Sequence, residues 1–315
     1  MQFTVILPAH NPDPGRLRRV LSGLGAQTLP SGEREILLID NSSQPPIGAG
    51  AIANAPAGTR IVREESLGLT AARLRGFAEA RGDLLALVDD DNVLAPDYLE
   101  AAARCFAADP RLGAAGGRCL PEFESPPPPW TREFDGLLAL RDPGGQPQRA
   151  TWEGAASRQY PPCAPVGAGM VLRRPAAEAY AAALASDPGR RAFDRAGRQL
   201  VSGGDNDLVM TALETGWAVA YRPELALAHL IPASRVQRTY LGALNRAIAR
   251  SWVRVLALHG IVPWPGIARS TVRIRQARAW LRSGAWRGPA EWVRWQGLCG
   301  NFEGRADLRA RSPGS

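Results

Sequence analysis

Leu84-Leu85-Ala86-Leu87-Val88-Asp89-Asp90-Asp91-Asn92 is the stretch on which the reading of this chain turns. Five apolar residues bounded by polar ones predict a short strand buried on both faces, as in a parallel sheet. The strand delivers three carboxylates and an amide to its carboxyl end, where open α/β sheets bind ligands. Carboxylates this close repel one another unless a cation joins them. A donor set of oxygens suits Mg²⁺ or Mn²⁺, which take few protein ligands and leave positions for phosphate oxygens. An acidic turn capping the helix that begins near Pro96 is the plainer alternative.

Working outward, the first half alternates strand and helix signals: strands at Phe3–Leu7, Glu35–Ile39 and Ile61–Val62, helices at Arg16–Ala26, Thr70–Ala80 and Pro96–Ala107, and a strand at Leu112–Ala115. Such order predicts an α/β fold with a mainly parallel central sheet flanked by helices. Residues 121–165 carry Pro126 to Pro129, Pro143, Pro147 and Pro161-Pro162, so a long loop with one short hairpin is expected there. Further on, Gly167–Leu172 reads as a strand, Pro175 to about Ala185 as a helix, Asp207–Thr215 as a helix, and Ala218–Tyr221 and Leu225–Ala228 as two short strands. From about Val236 to Gly300 the pattern is helical, and Asp307–Ser315 reads as a tail.

The chain has 315 residues and a formal net charge of +8, and every one of its 38 basic residues is arginine. Mechanisms that need a catalytic lysine are therefore excluded. Residues 235–315 hold 15 arginines against 3 acids, whereas the preceding 234 residues are slightly acidic. The basicity belongs to the C-terminal quarter. Four cysteines without a CxxC pair imply reduced thiols and a cytoplasmic protein. The first residues enter a strand with no leader-like segment, and no stretch reaches the roughly 18 to 20 apolar residues of a membrane span. A soluble or surface-bound protein is expected.

Six segments, taken in order, resemble the family 2 glycosyltransferases, inverting nucleotide-sugar enzymes of the GT-A, Rossmann-like fold. They are Val5-Ile-Leu-Pro-Ala-His-Asn11, Glu35-Ile-Leu-Leu-Ile-Asp-Asn-Ser-Ser43, Ser66–Arg73 with Ala80-Arg-Gly-Asp83, Leu87–Asn92, Gly167–Leu172, and Gly203-Gly-Asp-Asn-Asp-Leu208. His229–Arg235 resembles a segment after the last strand in one branch of the family. The resemblance covers about residues 3–240. It implies a catalytic domain over 1–235, divided into a nucleotide-sugar-binding half (1–118) and an acceptor-side half (119–235), then a basic helical extension over 236–306 and a tail over 307–315.

The resemblance also assigns roles. Pro8, Ala9 and Asn11, after the first strand, would line the nucleotide pocket. Asp40 would accept from a base N–H, unless it is only a strand-end cap. Arg73 would hold a base carbonyl or a phosphate, unless it pairs with Glu64 or Glu65. Asp89 and Asp91 form the D-x-D, with Asp91 the direct ligand of Mn²⁺ or Mg²⁺ and Asp89 reaching ribose or acting through water. Asp90 occupies the variable position among these donor-side residues.

His229 would be a third metal ligand or a structural histidine, and Arg235 a clamp on the diphosphate. Asp205 would be the general base, as an inverting transfer needs a carboxylate on the acceptor side. It could also cap a helix, and Asp207 remains its rival because Gly204 stands where the family has Glu. Outside inverting transfer, a retaining GT-A enzyme and a catalytically silent sugar-binding or membrane-associated module are the alternatives. A nucleotidyltransferase would need a glycine-rich first loop and a lysine that are missing.

The implied partners are a nucleotide-sugar donor, UDP-sugar by default, and a saccharide, lipid-linked or other hydroxyl acceptor. Six of nine tryptophans fall in 236–300, where Arg246, Arg250 and Arg254 form one row and Arg275, Arg278 and Arg282 another. Arginine beside interfacial aromatics fits an anionic membrane surface, on the inner face of the plasma membrane. Helices packed on the catalytic domain with a solvated basic face would give the same pattern. No nucleic-acid motif accompanies the charge.

Overall fold

A computed structural model describes residues 2–311 except 54, 155–157, 196 and 198. The elements, in order, are β1 (Phe3–Ala9), α1 (Pro14–Gly25), β2 (Arg34–Asn41), β3 (Thr59–Glu64), α2 (Leu69–Glu79), β4 (Leu84–Leu87), β5 (Asn92–Leu94), α3 (Tyr98–Ala108), β6 (Leu112–Phe123), β7 (Gln148–Ala150), β8 (Val171–Arg173), α4 (Arg174–Ser186), α5 (Gly204–Glu214), β9 (Ala218–Ile231), α6 (Arg238–Leu258), α7 (Val272–Ser283) and α8 (Pro289–Arg311). They form two compact units. One comprises Met1–Glu122, Ala139–Arg191 and Leu208–Leu230, the other Phe123–Leu138, Ala192–Asp207 and Ile231–Ser315.

The first unit is built on one sheet in the order β3-β2-β1-β4-β8-β6-β9-β5, with β7 on β9. β3, β2, β1 and β4 run parallel, as the alternation of strands and helices requires. Beyond β4 the pairings of β8 with β4 and β6, and of β5 and β7 with β9, are antiparallel. All residues of β1 and β2 are buried, and in β2 the apolar run Ile36–Ile39 lies between the buried polar residues Arg34, Glu35, Asp40 and Asn41. Helix α1 starts on an Asp13 cap that accepts from the Arg16 N–H at 2.9 Å, has Pro14 at its first position, and buries Leu17, Val20, Leu21 and Leu24.

Three sequence expectations change. The two short strands expected at 218–221 and 225–228 are one strand, β9, despite Pro223. A side chain at Gly117 would collide with the carbonyls of Arg222 and Leu225; its absence lets β6 follow β9 through that stretch. The proline-rich segment is not only loop. It holds 3₁₀ turns over Pro129–Leu138, burying Phe134 and Leu138, and the strand β7 on β9.

The third change is in the second unit, where the helical stretch after Val236 consists of α6, α7 and α8 and continues past Gly300. The breaks between these helices contain Pro263 and Pro265, then Gly284, which closes α7 in the left-handed conformation. α8 runs through Asp307, which belongs to this helix rather than to a tail. Gly297, Gly300 and Gly304 lie on the face of α8 toward α6, and a side chain at Gly300 would collide with the Arg246 backbone. Across this close seam Arg246 pairs with Glu303, and Arg250 with Asp307 at 2.8 Å. Arg254 lies over the Phe193 ring, 5.1 Å from its centroid. The first arginine row is therefore part of helix packing, whereas the row on α7 is exposed.

Candidate functional site

In the first unit the strand registers bring the carboxyl ends of β1, β2 and β4 to one edge. Ala9 stands beside Asp40, and Val88 donates to the Ile6 carbonyl at 3.0 Å. Pro8, Ala9, Asp40 and Asp89 thus leave the sheet together. The loop after β1 is fastened to the end of β2: the Asn11 N–H donates to Ser43 Oγ at 2.9 Å, and Asn11 Oδ1 accepts from the Gln44 N–H at 2.8 Å. His10 Nδ1 lies 2.8 Å from the Asn41 carbonyl, which ties this exposed side chain to the same loop.

Asp40 is buried and bound on both oxygens. It accepts from the N–H groups of Ser43 (3.1 Å) and Ile47 (3.0 Å) and pairs with Arg63 at 2.6 Å across β2 and β3. Burial alone would raise its pKa, but the hydrogen bonds from Ser43, Arg63 and Ile47 outweigh it and hold the carboxyl below its ordinary value. The acids considered as partners for Arg73 are engaged locally, Glu65 with Arg63 and Glu64 with the Ser66 N–H. Arg73 itself is buried on α2.

The acidic cluster forms a turn closed by the Asn92 N–H on the Asp89 carbonyl, 3.0 Å. Asp89 and Asp90 are half-buried, while Asp91 and Asn92 are buried. β5 pairs antiparallel with β9 and sets Asn92 opposite His229. This places His229 Nε2 3.5 Å from Asp91 Oδ2, with both side chains buried. Two residues 138 positions apart in sequence thus share one spot at the strand end. Asn92 Nδ2 donates to the other Asp91 oxygen at 3.0 Å, and Asn92 Oδ1 is buried without a hydrogen bond among the described residues.

No three His, Cys, Asp or Glu side chains among the described residues gather as a metal cage. One carboxylate, one imidazole and a spare amide oxygen still fit Mg²⁺ or Mn²⁺, which commonly bind through one or two protein groups and complete their shell with phosphate oxygens and water. Nearby on β6, Cys119 is buried, and burial with the Asp91 and Asp89 charges pushes its thiol up to about 12. A cavity of about 760 Å³ lies off this cluster, bounded by α1, Asn11, Ser43 and the 44–55 segment. None of Asp40, Asp89, Asp91 and His229 lines it.

In the second unit, α5 begins Gly204-Asp205-Asn206-Asp207. The two rival acids have different surroundings. Asp205 is half-buried, whereas Asp207 is fully buried with Oδ1 2.8 Å from His259 Nε2. An Asp207 carboxylate held by a buried ring is poorly placed to meet an acceptor. His259, at the end of α6, was not singled out by sequence, because only the packing of α6 shows its partner. A side chain at Gly204 would stand 2.6 Å from Asp194 Oδ2. Asp194, between α4 and α5, is buried there. Its only sequence signal was the glycine itself, standing where the resemblance leads one to expect Glu. Arg235 lies half-buried in the 3₁₀ turn Ala233–Val236.

The profile described as Glycosyl transferase family 2 matches residues 4–180, and the chain belongs to that family. The succinoglycan biosynthesis protein ExoW of Rhizobium meliloti (strain 1021) is 34% identical over 103 residues, covering 31% of this chain and 32% of that protein. An N-acetylglucosaminyltransferase of the same organism is 30% identical over 121 residues, covering 36% of this chain and 27% of that protein. The chain thus spans about a third or less of the length of these two relatives. The crystal structure of S. aureus TarS 1-349 in complex with UDP-GlcNAc superposes with a TM-score of 0.52 at 14% identity, covering 98% of this chain and 92% of that one. The fold is therefore a mixed α/β GT-A arrangement similar to that of TarS, with C-terminal helices.

Proposed function

We propose that this chain is a metal-dependent inverting glycosyltransferase that moves a sugar from a nucleotide-sugar donor, UDP-sugar by default, to a hydroxyl acceptor in glycan or lipid-linked saccharide synthesis. The observation that carries the reading is the buried approach of Asp91 and His229 at the end of β4, 3.5 Å apart. Family membership and the names of the relatives support it.

Asp91 and His229 would hold Mg²⁺ or Mn²⁺, which when bound to the diphosphate would neutralise the charge of the leaving group. Pro8, Ala9 and Asn11 would line the nucleotide, Asp40 and Arg73 would face its base or phosphate, and Asp89 its ribose, with Asp90 beside it. Arg235 would clamp the diphosphate.

Asp205 takes the proton. As the acceptor oxygen attacks C1, its O–H proton passes to the Asp205 carboxylate. The C1–O bond to the diphosphate breaks with its electron pair leaving on the diphosphate, and the anomeric configuration inverts. The half-buried setting of Asp205, against the ring-held Asp207, favours it as the base.

Among the described residues no helix is long and apolar enough to cross a membrane. The reading has the enzyme in the cytoplasm, against the inner, anionic face of the plasma membrane, where lipid-linked acceptors would be met. A thermal-shift screen of sugar nucleotides with and without Mn²⁺ tests the donor half. Stabilisation that needs both nucleotide and metal is expected. No shift with any nucleotide would overturn it.

A further inference from the structure

The second unit carries one exposed surface that the transfer chemistry does not use. On α7, Ile274, Ala277, Arg278 and Leu281 recur at helical spacing on one face, and Ile274 and Leu281 are 57% and 67% exposed. The opposite face is fixed. Ala279 is buried, Trp280 packs edge-on against Trp295 at 4.9 Å, and Trp295 Nε1 donates to the Gln276 carbonyl at 3.0 Å. Gly284 then closes the helix, and the chain presents Trp286, 56% exposed, with Arg287 5.9 Å from its ring centroid. The helix is held rigidly by one side while the other shows large apolar groups to solvent.

Arginines frame this apolar strip. Residues 269–287 contain Arg269, Arg273, Arg275, Arg278, Arg282 and Arg287 and no acid. Arg273, Arg278 and Arg282 are exposed and, among the described residues, have no carboxylate within ion-pair distance. The contrast with α6 is direct, since Arg246 and Arg250 there are matched by Glu303 and Asp307.

We infer that the outer face of α7, with Trp286, is the element that docks the protein on an anionic lipid surface. The inference rests on the membrane-surface part of the proposed function and is independent of its donor chemistry. Charge complementarity selects the occupant. A second copy apposed by this face would bring arginine against arginine. A polyanion without an apolar phase would neutralise the guanidinium groups but leave Ile274, Leu281 and Trp286 in water. An anionic bilayer interface satisfies both, with apolar tips among the acyl chains and guanidinium groups at the phosphates, each worth about fivefold in partitioning.

The test is co-sedimentation of the intact protein with phosphatidylglycerol–phosphatidylcholine vesicles and with phosphatidylcholine vesicles alone. Wild type and Asp205→Asn should both sediment with the anionic vesicles and remain in solution with the neutral ones. Leu281→Ser with Trp286→Ser should weaken partitioning about tenfold, and R273Q, R275Q, R278Q and R282Q together about 600-fold. All of these positions are exposed, and circular dichroism checks that the variants fold. Wild-type binding that the α7 variants leave unchanged would overturn the assignment of this face while sparing membrane association. No binding to anionic vesicles even at low salt would overturn both, and donor turnover, measured separately, would stand or fall on its own. Loss with the arginine variant alone would point instead to an acidic macromolecule. Self-association in sedimentation velocity that Leu281→Ser abolishes would replace lipid by a second copy.

Discussion

His259 Nε2 and Asp207 Oδ1 stand 2.8 Å apart in an environment that excludes water from both side chains. The pair fastens the end of α6 to the first turn of α5, two residues from Asp205. Removing one member of such a buried pair leaves the other uncompensated, at a cost of about 3–5 kcal/mol. His259→Ala should therefore lower stability by about that much in urea unfolding, while His259→Gln, whose amide can still donate, should recover part of it. A loss below about 0.5 kcal/mol for His259→Ala, the range of surface changes, would mean that the pair holds nothing in place.

Gly204 and Asp194 compete for one space. Gly204→Ala would press a methyl group against Asp194 Oδ2, and overpacking of this kind costs about 1–3 kcal/mol. Adding Asp194→Gly should relieve the clash, so the double variant should be more stable than the sum of the single effects allows. Additive melting temperatures would show that the two residues do not meet.

Asp40 should give a pH-dependent contribution to stability. Its folded pKa is depressed, so the stabilisation is present above the unfolded value of about 3.9 and is lost as pH falls through the folded value. Asp40→Asn should be less stable than wild type at pH 7 by about 1–3 kcal/mol, and the gap should narrow progressively below about pH 4. Denaturant curves at pH 7 and pH 3 provide the comparison. A gap that stays constant or widens in acid would contradict the assignment.

The thiols should be inert in the folded protein. Burial pushes Cys105 and Cys119 up to about 12 and Cys299 to about 11, and raises Cys163 as well. All four are buried free cysteines, so little thiolate is present at pH 8 and little of it is reachable. Labelling with a thiol reagent should be about 100-fold slower than in urea. Rapid modification of one cysteine in native buffer would mean that its surroundings open.

From β1 to α3 the fold, apart from β5, was legible because its elements are local patterns: apolar runs for strands and 3.6-residue spacing for α1. The strand-end positions of Asp40 and Asp89 follow from where those runs stop. What escaped depended on contacts distant in sequence. β9 continues past Pro223 only because Gly117, on another strand, leaves room. Asp207 differs from Asp205 only because α6 brings His259 to it, and Asp194 matters only because Gly204 has no side chain. The two arginine rows look alike in sequence. They differ because Glu303 and Asp307 on α8 face α6, while α7 turns its own row to solvent.

The most direct measurement is turnover of a panel of sugar nucleotides with Mn²⁺ by the wild-type chain and by Asp205→Asn, with nucleotide binding measured on both. The expected result is slow donor hydrolysis or transfer by wild type and a fall of about 10²–10⁴-fold in kcat for Asp205→Asn, at unchanged nucleotide affinity. Wild-type activity undiminished by Asp205→Asn, or no turnover and no binding of any sugar nucleotide by the wild-type chain, would contradict it.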